Sequence, residues 1–360
     1  MTPTTSALGL IRKLGIDLLD DRYQAHTPIG NAYGGASFVG LDLKTNAKVF
    51  MKYLICPRGP LERAKFSMER DALSTVGGIF KDIVPKLLYH CDIPEIQAAA
   101  IVTEWVDGEL LGSWLKRCGD LSIDERLEVF HRVTFAMSGG TLTHLHRDFH
   151  PGNIVLLPRE NVLMGPVELW QVETPGVKIL DWGEALPVIS AAYDDEPEHN
   201  FTVRALGPRV IGGAIGSLPP EVFWPYVPNR YFGGTYEAWG LASLLYRILA
   251  LKELEIPTSI GALAADVHNG SLNDRTRRRA SELATLALPG GQIIPRLFER
   301  MSADVPEGRP QLSDINWVLW DVRYEGLSLA AGKVLDDYIV DPSSYRPDGG
   351  WKYRRDFDPN

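Results

Sequence analysis

Three short stretches carry side chains able to do chemistry. The densest is His146-Arg147-Asp148-Phe149-His150-Pro151-Gly152-Asn153, which sets the carboxylate of Asp148 and the carboxamide of Asn153 on one short segment. That segment is a loop. Pro151 removes a backbone donor and turns His150 away from the α region, and Gly152 loosens the next turn. The apolar run Ile154-Val155-Leu156-Leu157 then reads as a short buried strand. An Asp that orients a hydroxyl and an Asn that holds a metal ion suit phosphoryl transfer, where positioning and charge neutralisation do most of the catalysis. A polar surface turn is the plain alternative. The second stretch is Val49-Phe50-Met51-Lys52-Tyr53-Leu54, a strand with one cation among apolar neighbours. The third is Val177-Lys178-Ile179-Leu180, a strand ending at Asp181-Trp182-Gly183.

Several elements must bring these stretches together. Residues 1–20 open polar, and Leu8, Ile11, Leu14 and Leu18 then form a short amphipathic stretch read as a helix laid on the body. The Gly-rich run from Ile29 to Val39 includes Gly30, Gly34 and Gly35 and lies between strand-like segments. It reads as a hairpin whose backbone amides can close over phosphates, because glycine permits that approach. Leu61 to Thr75 reads as a helix with Leu61, Ala64, Met68 and Ala72 on one stripe and Glu69 on its flank; Glu62 occupies a similar face. Ala98 to Val106 is an apolar strand ending at Asp107-Gly108. Ser122 followed by Glu125 is a capping-box signature opening a helix, with Leu127, Phe130, Val133 and Met137 on one face and Gly139-Gly140 as a stop. Residues 158–176 read as a loop or hairpin rich in Pro and Gly.

These motifs, in this order, resemble the eukaryotic-type protein kinase superfamily over about residues 22 to 320. The octet is similar to the catalytic loop H-R-D-x-x-x-x-N, and Ile29–Val39 to the loop G-x-G-x-x-G-x-V, with Ala32 at the second Gly and Ser37 at the Val. Lys52 follows Ser37 at the family's interval, in a strand like V-A-I-K, but Phe50 occupies the small Ala position over the adenine ring. Asp181-Trp182-Gly183 resembles D-F-G, Pro219-Pro220-Glu221 resembles A-P-E, and the helix opened by Glu237-Ala238-Trp239 resembles D-x-W-S-L-G with Glu for Asp. Arg309 matches the late Arg that pairs with the A-P-E Glu.

The resemblance implies an α+β, bilobal fold, with a β-rich N-lobe (22–107) above a mainly helical C-lobe (108–325). An N-terminal extension (1–21) and a C-terminal tail (326–360) flank it. It implies ATP in the cleft, with Gly30, Gly34, Gly35, Lys52, Glu69 and the main chain of Glu104 and Val106 around the nucleotide. Thr103 would be a small gatekeeper. Asp148 would orient the acceptor hydroxyl, Lys52 would pair with Glu69, and Asn153 and Asp181 would hold Mg²⁺. The implied activity is Ser/Thr protein or peptide phosphorylation. Many such kinases carry Lys where His150 stands. The form D-x-H-P-x-N is also similar to small-molecule kinases of the aminoglycoside and choline type and to lanthipeptide-synthetase kinase domains. Phe50, Ala32 and Ser37 leave a third reading, a nucleotide-binding pseudokinase acting as an interaction module. In the family the Arg before the catalytic Asp commonly receives an activation-segment phosphate. Here the segment 184–220 offers Thr202, or the acidic patch 194–198 in place of a phosphate, as the partner of Arg147.

Composition sets the outer bounds. The 360 residues suffice for one large two-lobed domain, and 45% hydrophobic with 23% charged residues is that of a globular chain. A formal net charge of −9 argues against nucleic acid or an anionic membrane as partner. Cys56, Cys91 and Cys118 are odd in number and lack metal-type spacing, so reduced thiols and a cytoplasmic location are expected. No signal-like start and no long apolar run predict a membrane span.

Overall fold

In the computed structural model, residues 7–30, 35–57, 59–80, 82–158, 176–188, 213–223, 234–325 and 328–336 are described. The chain is α+β, a curled antiparallel sheet followed by a helical part. The sheet has six strands: β1 (Leu18–Leu19), β2 (Tyr23–Gly30), β3 (Gly35–Asp42), β4 (Ala47–Ile55), β5 (Leu87–Ile93) and β6 (Ala98–Glu104), in the order β1-β2-β3-β4-β6-β5. Strand periodicity gives it two faces. Phe38, Val49, Met51, Tyr53, Ala100 and Val102 form one core layer, closed by α1 (Ala7–Lys13) through the fully buried Ile11. The other face carries Phe50 and Lys52, so one strand sends apolar side chains one way and its cation the other. The amphipathic stretch at the N-terminus is shorter as a helix than its apolar spacing predicts. Gly15 at φ +68° stands two residues after the last helical residue, Lys13, and Leu18 belongs to β1, paired with Gln24.

Helix α2 (Pro60–Ile79) crosses between β4 and β5. It runs four residues past the expected end, because Gly77 and Gly78 lie within it. A Cβ on Gly77 would meet Val84 at 3.2 Å, so the glycine permits close seating there. After β6 come β7 (Glu109–Leu110), α3 (Leu111–Trp114) and α4 (Ile123–Gly140). The capping box of α4 is complete, with Glu125 N donating to Ser122 Oγ at 3.2 Å and Ser122 N donating to Glu125 Oε2 at 2.9 Å. Gly139 and Gly140 fall inside the helix rather than beyond it. A Cβ on Gly139 would lie 2.5 Å from Ile83, and one on Gly140 2.9 Å from Trp182, so these glycines make room for neighbours.

Strands β8 (His144–Leu145), β9 (Ile154–Leu156), β10 (Val177–Ile179) and β11 (Leu186–Pro187) frame the loop 146–153, β9 pairing with β7 and β10, and β8 with β11. The helical part continues with α5 (Gly234–Ala250), α6 (Ile260–His268), α7 (Ser271–Ala284), α8 (Ile293–Met301), α9 (Leu312–Trp320) and α10 (Ser328–Asp336). Helix α5 is buried nearly all round and forms the centre of this core, as expected of a helix apolar on every face. Among the described residues no helix is long and apolar enough to cross a membrane. Gly34, most of 158–176, the acidic patch 194–198, Thr202 and the tail 341–360 lie outside the described residues.

Candidate active site

Lys52 is the point where the site closes. It stands in β4 between Ser37 of β3 and Ile101 of β6, and its ammonium reaches 2.7 Å from Glu69 Oε2 and 2.8 Å from Asp181 Oδ1. One cation therefore joins the sheet, helix α2 and the segment after β10. Glu69, rather than Glu62, is the helix carboxylate that meets it. Burial by itself would drive the Lys52 ammonium toward neutrality; Glu69 first and Asp181 next outweigh this and hold it above its ordinary range. For Asp181 burial pushes the carboxyl up and Lys52 more than reverses it, whereas the deeply buried Glu69 is raised because burial dominates over Lys52. Gly183 lies directly over this cluster: a Cβ there would meet Asp181 Oδ1 at 3.3 Å and Glu69 Oε2 at 3.6 Å.

The loop 146–153 faces the cluster and is held from below. Glu237, buried in the first turn of α5, accepts from the backbone amides of His146 at 2.6 Å and Arg147 at 2.8 Å through one oxygen. His146 Nε2 donates to Leu180 O at 2.8 Å, and Leu180 N donates to Asn153 O at 2.7 Å, so two hydrogen bonds join the loop to the Asp181 segment. The Trp182 ring is fully buried, its edge set against His146 at 4.9 Å between centroids and its Nε1 donating to Ile179 O at 3.1 Å. Gly140, where a Cβ would stand 2.9 Å from Trp182, makes room for this ring. Arg147 and Asp181 are non-glycine residues at φ +65° and +52°. Left-handed backbone at such residues costs on the order of 1–3 kcal/mol each and persists only where surroundings hold it.

Asp148 and Asn153 come together on this loop. Asn153 Nδ2 donates to Asp148 O at 3.0 Å and to Asp148 Oδ2 at 3.3 Å. Burial raises the Asp148 carboxyl, but His150 foremost, then His146 and the Ala214 amide, bring it below its ordinary range. Arg147 is buried against Tyr236, whose hydroxyl it engages. The Pro220–Phe223 turn is fixed by Glu221, which forms a two-pronged pair with Arg309 at 2.7 Å on each arm, both side chains fully buried.

Between the sheet and this loop lies a cleft of about 460 Å³. Phe50, Lys52 and Thr103 line its roof, Glu104 and Val106 its back, and Asn153 and Asp181 its floor. Gly30 ends β2 and Gly35 begins β3; neither lines the cleft, whereas Ile29 and Ser37 do. Gly35 is required for another reason: a Cβ would stand 2.1 Å from Tyr53 O of the adjacent strand. Glu104 spends its amide on Lys86 O at 3.0 Å, and its carboxylate accepts from Lys86 N at 3.1 Å and pairs with Lys178. Lys178 also donates to Val84 O at 3.2 Å, and Lys65 of α2 pairs with Glu184. Sequence reasoning passed over both lysines. Lys178, a lone cation between Val177 and Ile179, carried the same signal as Lys52.

Asp181 commits Oδ1 to Lys52 and Asn153 commits Nδ2 to Asp148, which leaves one oxygen on each for a metal. Among the described residues no group of three or more His, Cys, Asp or Glu side chains is arranged to hold a metal. Two oxygen donors fit Mg²⁺, which takes its remaining ligands from phosphates and water.

No family model matches the chain. Over 130 residues, 36% of its length, the chain is 31% identical to the serine/threonine-protein kinase PknA of Mycobacterium tuberculosis (H37Rv) and, equally, to that of Mycobacterium bovis. The match covers 27% of each of these relatives, about a quarter of their length. The relationship is protein-kinase-like and distant.

Proposed function

We propose that the chain is an ATP- and Mg²⁺-dependent Ser/Thr protein or peptide kinase, with residues 22–107 forming the nucleotide-clamping lobe and 108–325 the acceptor-side lobe. The observation that carries this reading is the Lys52–Glu69–Asp181 cluster at one end of a cleft whose floor holds Asn153 beside Asp148. Lys52 is the cation placed to meet phosphate oxygens, and Glu69 fixes its position. The Glu104 carbonyl and the Val106 amide are the main-chain groups offered to the adenine edge. Asp148, ionised at neutral pH, is placed to orient an acceptor hydroxyl and take its proton as the oxygen–phosphorus bond forms. The γ-phosphorus–oxygen bond breaks in the same step, and ADP leaves with the electron pair. Asp181 and Asn153 would hold Mg²⁺, which when bound would supply charge neutralisation on the phosphates.

The test is ADP production with and without candidate peptide and small-molecule acceptors. Asp148→Asn and Asp181→Asn should each lower kcat by at least about 100-fold. Asp181→Asn should also weaken Mg·ATP binding, which Asp148→Asn leaves nearly intact. Turnover equal to wild type in both variants refutes the assignment. Transfer to amino-alcohol or aminoglycoside acceptors alone would favour the small-molecule phosphotransferase, for which His150-Pro151 is the supporting feature. Nucleotide binding without any turnover would favour the pseudokinase.

A further inference from the structure

His150 borders Asp148, and its ring is tied to the turn that carries Asn153. Gly152 N donates to His150 Nδ1 at 3.0 Å. An imidazole nitrogen that accepts a hydrogen bond carries no proton, so the proton of the neutral ring is on Nε2. That nitrogen faces Asp148 Oδ2 at 3.7 Å. Asn153 Nδ2 approaches the same oxygen at 3.3 Å. The two donors converge on Oδ2 from the two ends of the turn Pro151–Asn153, for which His150 is the N-terminal cap. His150 also lies on the acceptor side of the loop. It lines a small cavity of about 60 Å³ with Phe149, Pro151, Ser217 and Ser243, whereas Gly152 and Asn153 line the nucleotide cleft.

We propose that His150 is a positioning residue for the base: its Nε2–H, set in that tautomer by the Gly152 amide, is aimed at Oδ2 of Asp148 and closes on it from 3.7 Å as the acceptor binds, orienting the carboxylate. A lysine at this position would offer a mobile cation. Histidine offers a single neutral donor whose direction the turn determines. The inference rests on the phosphotransfer reading for its kinetic consequence, but the ring geometry can be measured without it.

Asparagine and glutamine separate the two nitrogens. His150→Asn keeps an acceptor near the position of Nδ1 and so preserves the cap on Gly152, but has no group at Nε2. His150→Gln places its amide NH₂ near Nε2 and gives up the cap. The expected result is that His150→Asn folds with unchanged thermal midpoint and unchanged Mg·ATP affinity but loses about 10- to 100-fold in kcat, while His150→Gln retains kcat within about 5-fold of wild type. The opposite order, full turnover in Asn and loss in Gln, makes His150 a loop cap only and overturns the proposal. The second measurement is ¹⁵N-NMR of the His150 ring in the full chain without ligands. A protonated-type Nε2 signal that shifts on Asp148→Asn is expected. An Nδ1–H tautomer, or a ring indifferent to Asp148→Asn, overturns the proposal whether or not the chain transfers phosphate. A wild type that fails to turn over, with the NMR result as expected, would count against the kinase reading alone.

Discussion

The buried Glu221–Arg309 pair offers the sharpest quantitative test. Both side chains are fully shielded, and the two 2.7 Å arms make the pair planar and bidentate. Arg309 has further acceptors: Nε donates to Ala303 O at 2.7 Å, Nη1 to Thr235 O at 3.3 Å and Nη2 to Asp304 O at 3.3 Å, with its guanidinium 5.2 Å from the Trp239 ring centroid. Glu221→Gln keeps the shape and one acceptor but removes the charge. Breaking a buried pair from one side costs about 3–5 kcal/mol, because the remaining ion is left uncompensated. The three carbonyls still solvate Arg309, so Glu221→Gln belongs near the lower end, about 3 kcal/mol. Arg309→Met belongs near the upper end, since Glu221 then keeps no cation and three carbonyls lose their donor. The double variant Glu221→Gln/Arg309→Met should lose clearly less than the sum of the single changes, with a coupling on the order of 2–3 kcal/mol. Urea unfolding followed by far-ultraviolet circular dichroism, with the slope unchanged and the midpoint displaced, reads these values directly. A Glu221→Gln cost below about 1 kcal/mol, or additive single variants, would refute the reasoning.

Two other perturbations follow from the site and its support. Phe50 lines the cleft beside Thr103 and is only half-buried, so Phe50→Ala should cost less than the 3–5 kcal/mol of a fully buried ring and leave Mg·ATP binding equal or tighter by calorimetry. Weaker binding in a folded variant would show that the ring supports the nucleotide. His131, buried by α9 and with Arg323 beside it, is lowered from its usual 6.5 to about 3, burial being the larger cause. Between those values the unfolded chain binds a proton that the folded chain does not, so stability falls as pH drops through that window. Replacing it by His131→Gln should flatten stability against pH by up to about 1.4 kcal/mol per pH unit between pH 4 and 6, measured by urea midpoints. Parallel curves for wild type and variant would show that the ring does not govern acid lability.

What could be read from the chain alone was local or ordinal. The capping box at Ser122 needs only residues three apart, and it forms as written. A lone cation in an apolar strand is a signal that Lys178 shares, so it was the interval from Ser37 that singled out Lys52, and the place at a strand end after Asn153 that singled out Asp181. The order of the motifs supplied the resemblance. Glycines were only partly legible, because the same residue ends a helix, admits a neighbour or spares a backbone clash; α4 does stop at Gly140, as expected. In this chain Gly139 and Gly140 lie within α4, and Gly35 yields to Tyr53 O. Tertiary structure decided the rest. Glu69 meets Lys52 because α2 presents that turn to β4; sequence spacing favoured Glu69 but left Glu62 on a similar face. Lys52 and Asp181 are 129 positions apart, Glu221 and Arg309 are 88, and Glu237 reaches the His146 amide across 91. Periodicity and capping signals act over a turn or a strand, whereas a charge finds its partner only when packed layers bring distant segments within about 3 Å.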